Sequence, residues 1–129
     1  MPAPNIAPTP AELQLLRVLW SRGPSNVREV HEALYAGTDT AYTTTLKLMQ
    51  NLHAKGLVKR DEAQRQHVYA AVAREDDTLQ DVVRGLIDRA FDGSAASLAM
   101  HALEARPATA AELGELKELI RRLERQGEK

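Results

Sequence analysis

Residues 41–56 read AYTTTLKLMQNLHAKG, and the spacing of their apolar side chains predicts a short helix. Steps of three and four residues bring one set of side chains onto a single buried face: Thr45, Leu48, Met49 and Leu52. Gly56 suits the left-handed conformation that often ends a helix, and it allows Leu57 to fold back onto Leu52.

The other face of this helix carries hydrogen-bonding side chains and one cation, without a carboxylate: Thr43, Thr44, Lys47, Gln50 and Asn51. A helix that enters a DNA groove needs such a face, because it has to meet base edges and phosphates. An ordinary amphipathic core helix fits this stretch equally well. The rest of the chain has to separate the two interpretations.

The composition of the 129-residue chain indicates a soluble globular protein with one domain, or one small domain and an appendage. The chain contains no cysteine, which excludes disulfides, thiolate catalysis and zinc–cysteine sites. It has neither a signal peptide nor an apolar run of membrane-spanning length. We therefore expect a cytoplasmic protein without membrane insertion.

The net charge of −1 hides an uneven distribution. Residues 41–74 contain six cations and two anions, a balance of +4, whereas residues 75–129 contain eight cations and twelve anions, a balance of −4. A basic segment beside an acidic one indicates a polyanionic partner for the basic segment.

The region before residue 41 predicts an arm and two helices. Pro2, Pro4 and the adjoining Pro8 indicate that residues 1–7 form a disordered N-terminal arm. The first helix begins after Thr9, which starts a capping box, and the second is capped by Ser25. Thr40 is the predicted cap of the third helix, the one described above.

After Gly56 the pattern changes to that of a β-hairpin. Residues 57–60 and 67–71 read as two short strands around a polar turn. Three short helices followed by a hairpin, the wing, predict a winged helix-turn-helix domain over residues 8–74. The fold class is thus mainly α with a small β-hairpin wing, followed by a three-helix dimerisation domain.

Residues 75–126 predict this helical dimerisation domain. Their apolar side chains keep helical spacing, yet about fifty residues in three helices bury too little surface to be stable alone. A second copy of the segment solves this problem, and the predicted homodimer interface consists of Leu79, Val82, Val83, Leu86, Ile87, Phe91, Leu98, Leu103, Leu116, Ile120 and Leu123. The alternative is that these helices fold back onto the winged helix of their own chain.

The sequence predicts no catalytic or metal site. Its four histidines fall in different elements, and none belongs to a metal-binding pair. A glycine-rich phosphate loop and a nucleophile elbow are also missing from the sequence. We therefore expect no enzymatic activity, no metal and no cofactor.

The predicted parts fit one mechanism, in which the helix at 41–55 lies in the major groove of operator DNA and the wing at 57–71 lies on the backbone. The predicted base-reading residues are Thr43, Thr44, Lys47 and Gln50. The predicted backbone contacts are Ser25, Arg28, Tyr42, Lys55, Arg60 and Arg65. The alternative is a winged-helix protein–protein interaction module without specific DNA binding.

Together these residues resemble the penicillinase and methicillin-resistance repressors, the BlaI/MecI/CopY family, over roughly 8–123. The landmarks of the resemblance are Glu12-Leu13, Leu19-Trp20, Ala41-Tyr42-Thr43-Thr44, Leu52-His53-Ala54-Lys55-Gly56-Leu57-Val58, Tyr69 and Phe91-Asp92-Gly93-Ser94. The resemblance implies a dimeric winged-helix transcriptional repressor, bound through its recognition helix to a palindromic operator near a promoter.

The family's modes of induction carry over only in part. In its antibiotic-sensing members, a transmembrane sensor protease triggers cleavage of an Asn-Phe bond in the dimerisation domain. The matching bond here is His101-Ala102. Because the dipeptide differs, the resemblance does not imply cleavage at this bond. Such a protease, or one acting downstream of it, is still among the partners that the resemblance implies. Copper-responsive members carry a cysteine-rich motif that this chain lacks.

Overall fold

The computed structural model describes residues 7–127, which form helices and three short strands. In chain order the elements are α1 (Pro10–Arg22), β1 (Ser25–Asn26), α2 (Val27–Tyr35), α3 (Tyr42–Ala54), β2 (Val58–Asp61), β3 (Val68–Ala71), α4 (Glu75–Ala90), α5 (Ala95–Ala105) and α6 (Ala110–Gly127). This is the predicted fold class, mainly α-helical with a small β wing. The predicted disordered arm lies outside the described residues, except for Ala7.

The first two helices begin with capping boxes. The hydroxyl of Thr9 accepts from the backbone N–H of Glu12, and the Glu12 carboxylate accepts from that of Thr9 at 2.9 Å. Asn26 and Glu29 form the same reciprocal pair at α2. The prediction that Ser25 caps this helix was therefore wrong by one residue. Two of the first backbone donors in each helix are thereby satisfied.

The third helix begins and ends differently. Ala41 is its N-cap, without a side-chain hydrogen bond, so the predicted cap at Thr40 was wrong. At the other end Gly56 has a φ of +78°, and its N–H donates to His53 while that of Leu57 donates to Leu52, both at 3.0 Å. This is a Schellman motif, and it confirms the predicted return of the chain at Gly56.

The hydrophobic core of the first part of the chain combines α1, α2, α3 and the hairpin. On α3, Thr45, Met49 and Leu52 are buried as predicted, and Leu48 is half-buried. The buried apolar residues are Leu15, Leu16, Leu19, Val27, Val30, Met49, Leu52, Leu57, Val58 and Tyr69.

The wing belongs to a three-stranded antiparallel sheet in the order β1-β3-β2. The short strand β1 pairs with β3, with Ser25 opposite Tyr69 and Asn26 opposite Val68. The sequence did not predict β1, because two residues are too few to show a period. This pairing ties the hairpin to the residues that open α2.

The described residues divide into two compact units, one ending at Gly85 and one beginning at Leu86. The domain boundary predicted at residue 75 coincides with the first residue of α4, and it stays a prediction. In the second unit, α5 and α6 contain no buried residue within the range that the structure describes. Over residues 7–127, every helix is too short or too polar to span a lipid bilayer.

Candidate nucleic-acid interface

The side of α3 that faces away from the core carries the four predicted base-reading residues. Thr43, Thr44, Lys47 and Gln50 are all exposed. The spacing from Thr43 to Lys47 is four and from Lys47 to Gln50 is three, so these three form one stripe. The first turn of α3 contains no acidic residue. The structure therefore brings the four residues together on an acid-free surface.

A hydrogen bond between α2 and α3 contributes to fixing the rotation of α3 about its axis, together with the buried Met49 and Leu52. Thr45 is fully buried, and its Oγ1 lies 2.7 Å from Nδ1 of His31. The His31 ring also packs against Tyr35 and Tyr42, each with its ring centroid 5.7 Å away. His31 was not predicted from the sequence, since no local pattern links residues fourteen positions apart.

The predicted backbone contacts divide into accessible and inaccessible side chains. Arg28, Tyr42 and Arg65 are exposed, and Tyr42 is 45% exposed at the start of α3. Ser25 is only 1% exposed, and its hydroxyl donates to the carbonyl of Gly23 at 2.9 Å. Its hydroxyl is therefore committed to the turn before α2 and is not presented to a ligand.

Lys55, another predicted backbone contact, holds an internal ion pair. Its Nζ pairs with the carboxylate of Glu12, a residue that is 2% exposed, while the Lys55 side chain itself is 29% exposed. The same ammonium lies 3.5 Å from the carbonyl oxygen of Ala7. Lys55 thus joins the end of α3 to the beginning of α1, and this contact has a structural role whether or not DNA is bound.

Arg60 on β2 is held within the wing. Hydrogen bonds to Tyr69 and Glu62 raise the pKa of Arg60, and Arg60 lowers the pKa of the Glu62 carboxyl. The Arg60 Nη2 lies 2.7 Å from the Glu62 carboxylate. A phosphate therefore has to compete with Glu62 for this guanidinium.

The turn of the wing is attached to the start of α2 by a hydrogen bond that the sequence analysis missed. Asn26 Nδ2 donates to Gln66 Oε1 at 2.9 Å. A signal for Asn26 existed, because Asn26 and Glu29 have capping-box spacing, but no sequence pattern points to Gln66.

The eleven predicted dimer residues all retain exposure in the single chain. Six are exposed and five are half-buried. Among the described residues, nine of the eleven exposed large apolar side chains lie between Leu79 and Leu123. Exposed apolar side chains are common singly, but their number in these helices leaves much apolar surface uncovered in the single chain.

Comparison with known proteins assigns the chain to a family. The model of the penicillinase repressor family matches residues 8–122. The chain belongs to this family.

Relatives within the penicillinase repressor family differ in how much of their length is matched. The transcriptional regulator BlaI of Mycobacterium tuberculosis is 40% identical over 88 residues, which is 67% of this chain and 64% of that protein. The chain therefore spans less than two thirds of the length of that relative. The penicillinase repressor of Bacillus licheniformis is 24% identical over 110 residues, 85% of this chain and 86% of its own.

A solved structure shares the fold. The crystal structure of the YusO protein from Bacillus subtilis matches this penicillinase repressor family member with a TM-score of 0.53 at 19% identity. The match covers 93% of this chain and 77% of that chain. At this identity the likeness concerns the fold alone.

Proposed function

We propose that this chain is a DNA-binding transcriptional repressor that reads a palindromic operator as a homodimer. The observation that carries the proposal is the exposed, acid-free face of α3, presented beside a wing in a member of the penicillinase repressor family. Catalysis forms no part of this function. The protein acts in the cytoplasm, where we expect its DNA target.

The exposed face of α3 has the chemistry for base recognition in the major groove. Lys47 can donate to a guanine edge, and the amide of Gln50 can both donate to and accept from an adenine edge. The methyl groups of Thr43 and Thr44 can contact a thymine methyl, and their hydroxyls can reach either kind of edge. The four residues together supply contacts to several adjacent base pairs.

Backbone contacts come from the elements on either side of α3. Arg28 on α2 and Arg65 in the wing provide exposed guanidinium groups, and Tyr42 provides a hydroxyl at the start of α3. Arg60 joins them when a phosphate displaces Glu62. Phosphate contacts fix the position of the recognition helix without reading sequence. Ser25 and Lys55 are left out because they hold internal contacts.

A second copy of the chain is the proposed partner of the apolar side chains between Leu79 and Leu123. Association of two copies removes these side chains from water, which contributes about 25 cal/mol per Å² of apolar surface before the entropic costs of association. A two-fold symmetric dimer presents two copies of α3 and therefore favours a palindromic operator, with half-sites about one helical turn apart.

Cleavage at His101–Ala102 is not included in the proposal. This bond lies inside α5, and the His101 ring contacts the Phe91 ring with centroids 5.2 Å apart. Proteases bind extended peptide, so cleavage would first require unwinding of α5. A sensor protease, or one acting downstream of it, therefore enters only as a partner that acts on an unwound segment.

A gel-shift titration on DNA flanking the protein's own gene tests the proposal, followed by a footprint of the shifted fragment. Arg28, Arg60 and Arg65 in two protomers neutralise about six phosphates, which predicts a log–log salt slope of about −5. The footprint should show two related half-sites. The absence of a specific band, or affinity that does not change with salt, would contradict DNA binding and favour the protein-interaction module.

A further inference from the structure

A cleft separates the start of α3 from the turn of the wing. Its volume is about 230 Å³, and we call it the wing cleft. Tyr42 on α3 and Arg65 and Gln66 in the wing stand at its sides, with Asn26 beside them and the buried Tyr69 behind. No aspartate or glutamate is among the described residues that line it. An anion is therefore the ligand class that this lining favours.

The donors that face the wing cleft are oriented by a hydrogen-bond relay. A backbone N–H can only donate, so the N–H of Glu29, 2.8 Å from Asn26 Oδ1, identifies that atom as the oxygen of the amide. Asn26 Nδ2 is then the donor to Gln66 Oε1. The Gln66 oxygen is occupied, and its Nε2 remains as the group that can donate to a ligand.

We propose that the wing cleft holds one phosphate of the DNA backbone, with Gln66 and Tyr42 donating to its oxygens and Arg65 supplying the positive charge. Asn26 is a positioning residue, because it turns the donor side of Gln66 outward without touching the phosphate. This assignment rests on the proposed function. It names Gln66 and Asn26, which neither the sequence nor the family match had placed in the site.

The relay matters because it joins the two elements that meet DNA. The strand pairing at Asn26–Val68 fixes the base of the wing, but the turn between β2 and β3 is otherwise exposed. The Asn26–Gln66 bond holds that turn against the helix-turn-helix. A phosphate in the cleft then sets the distance between the groove-binding helix and the backbone-binding wing, which fixes how deep α3 lies in the groove.

The test is a protein–DNA double-mutant cycle on the footprinted operator. The matching phosphates of both half-sites are replaced together, one position at a time, by neutral methylphosphonates, and Kd is measured for wild type, Gln66→Ala and Asn26→Ser. Serine keeps a neutral N-cap for α2 but is too short to reach Gln66. Gln64→Ala, in the same exposed turn, is the matched control.

We expect Gln66→Ala and Asn26→Ser each to weaken binding to the unmodified operator roughly tenfold per half-site, as for a lost hydrogen bond to a charged group. One methylphosphonate position should cost wild type a similar factor. At that position alone, the losses from the protein variant and the modified DNA should not multiply. Gln64→Ala should bind nearly as tightly as wild type. Any small loss that it causes should multiply with the loss from each DNA modification.

Three outcomes would overturn the assignment in different ways. If the loss from Gln66→Ala multiplies with the loss at every modified phosphate, Gln66 does not contact the backbone. If a base substitution couples to Gln66 instead, Gln66 lies in a groove. Wild-type binding by Asn26→Ser together with weak binding by Gln66→Ala would remove the role of Asn26. Failure of the wild type to bind any flanking duplex would overturn the proposed function and this inference together.

Discussion

Replacing Lys55 with methionine should destabilise the protein by leaving the buried carboxylate of Glu12 without its cation. Breaking a fully buried ion pair by removing one partner costs about 3–5 kcal/mol. The Lys55 side chain is 29% exposed, so water can partly compensate Glu12 after the substitution. We therefore expect a loss of about 2 kcal/mol, a large part of the 5–15 kcal/mol typical of a folded domain.

The matched control is the double variant Glu12→Gln/Lys55→Met, which removes both charges. Glutamine can still complete the capping box with Thr9, so α1 keeps its start. The double variant should therefore be more stable than Lys55→Met, within about 1 kcal/mol of wild type. Urea unfolding can be followed by the fluorescence of Trp20, the single tryptophan, whose Nε1 donates to the Ala73 carbonyl at 3.0 Å.

All three proteins should be compared at one concentration, because the proposed dimerisation would make apparent stability depend on concentration. The stabilising role of the Glu12–Lys55 pair is refuted if the stability of Lys55→Met lies within about 0.5 kcal/mol of wild type, or if the double variant is no more stable than the single one. Operator affinity adds a second readout. Recovery of affinity in the double variant supports a positioning role for Lys55, whereas a persistent loss restores Lys55 as a phosphate contact.

Four further predictions concern the interface, the dimer and the backbone. Lys47→Ala should weaken operator binding by about tenfold while light scattering still shows a dimer, and Lys117→Ala on α6 should leave binding unchanged. Leu86→Asp should dissociate the dimer and lose high-affinity binding with it; a variant that stays dimeric would contradict the assigned interface. Glu62→Gln should release Arg60 and tighten operator binding at low salt. The pKa of Glu62 is lowered, so the wild-type pair is charged at neutral pH, and the variant should bind more tightly than wild type at that pH. Gly56→Ala should lower the free energy of unfolding by about 1 kcal/mol, because a residue with a Cβ is strained at a φ of +78°. The strain comes from the backbone alone, since nothing lies within 4 Å of the added Cβ.

Local patterns were sufficient to predict most elements of the fold. The buried face of α3 followed from a period that Thr45, Met49 and Leu52 obey, and the end of the helix followed from Gly56. These features depend on neighbours within one or two turns, so they are visible in a single stretch of sequence. The exposure of the four predicted base-reading residues is the direct consequence of that period.

Contacts between distant residues could not be predicted in this way. Glu12 and Lys55 are 43 positions apart, and Asn26 and Gln66 are 40 apart, so no spacing rule connects them. Lys55 and Ser25 were assigned to the DNA backbone by residue type alone, whereas the structure gives both of them internal partners. Chemistry proposed from a residue type therefore needs the tertiary contacts before it can be assigned to a surface.

The hydrogen bond between Thr45 and His31 lies on the buried side of α3, away from the four side chains proposed to read DNA. One residue along an α-helix corresponds to a rotation of about 100°. If α3 rotated about its axis, it would therefore expose a different set of side chains. In the observed rotation, the buried Thr45 hydroxyl lies 2.7 Å from Nδ1 of His31. The four positions proposed to read bases can then be substituted without changing how α3 is held in the domain. Operator preference should be rewritable at residues 43, 44, 47 and 50 with no change elsewhere in the protein.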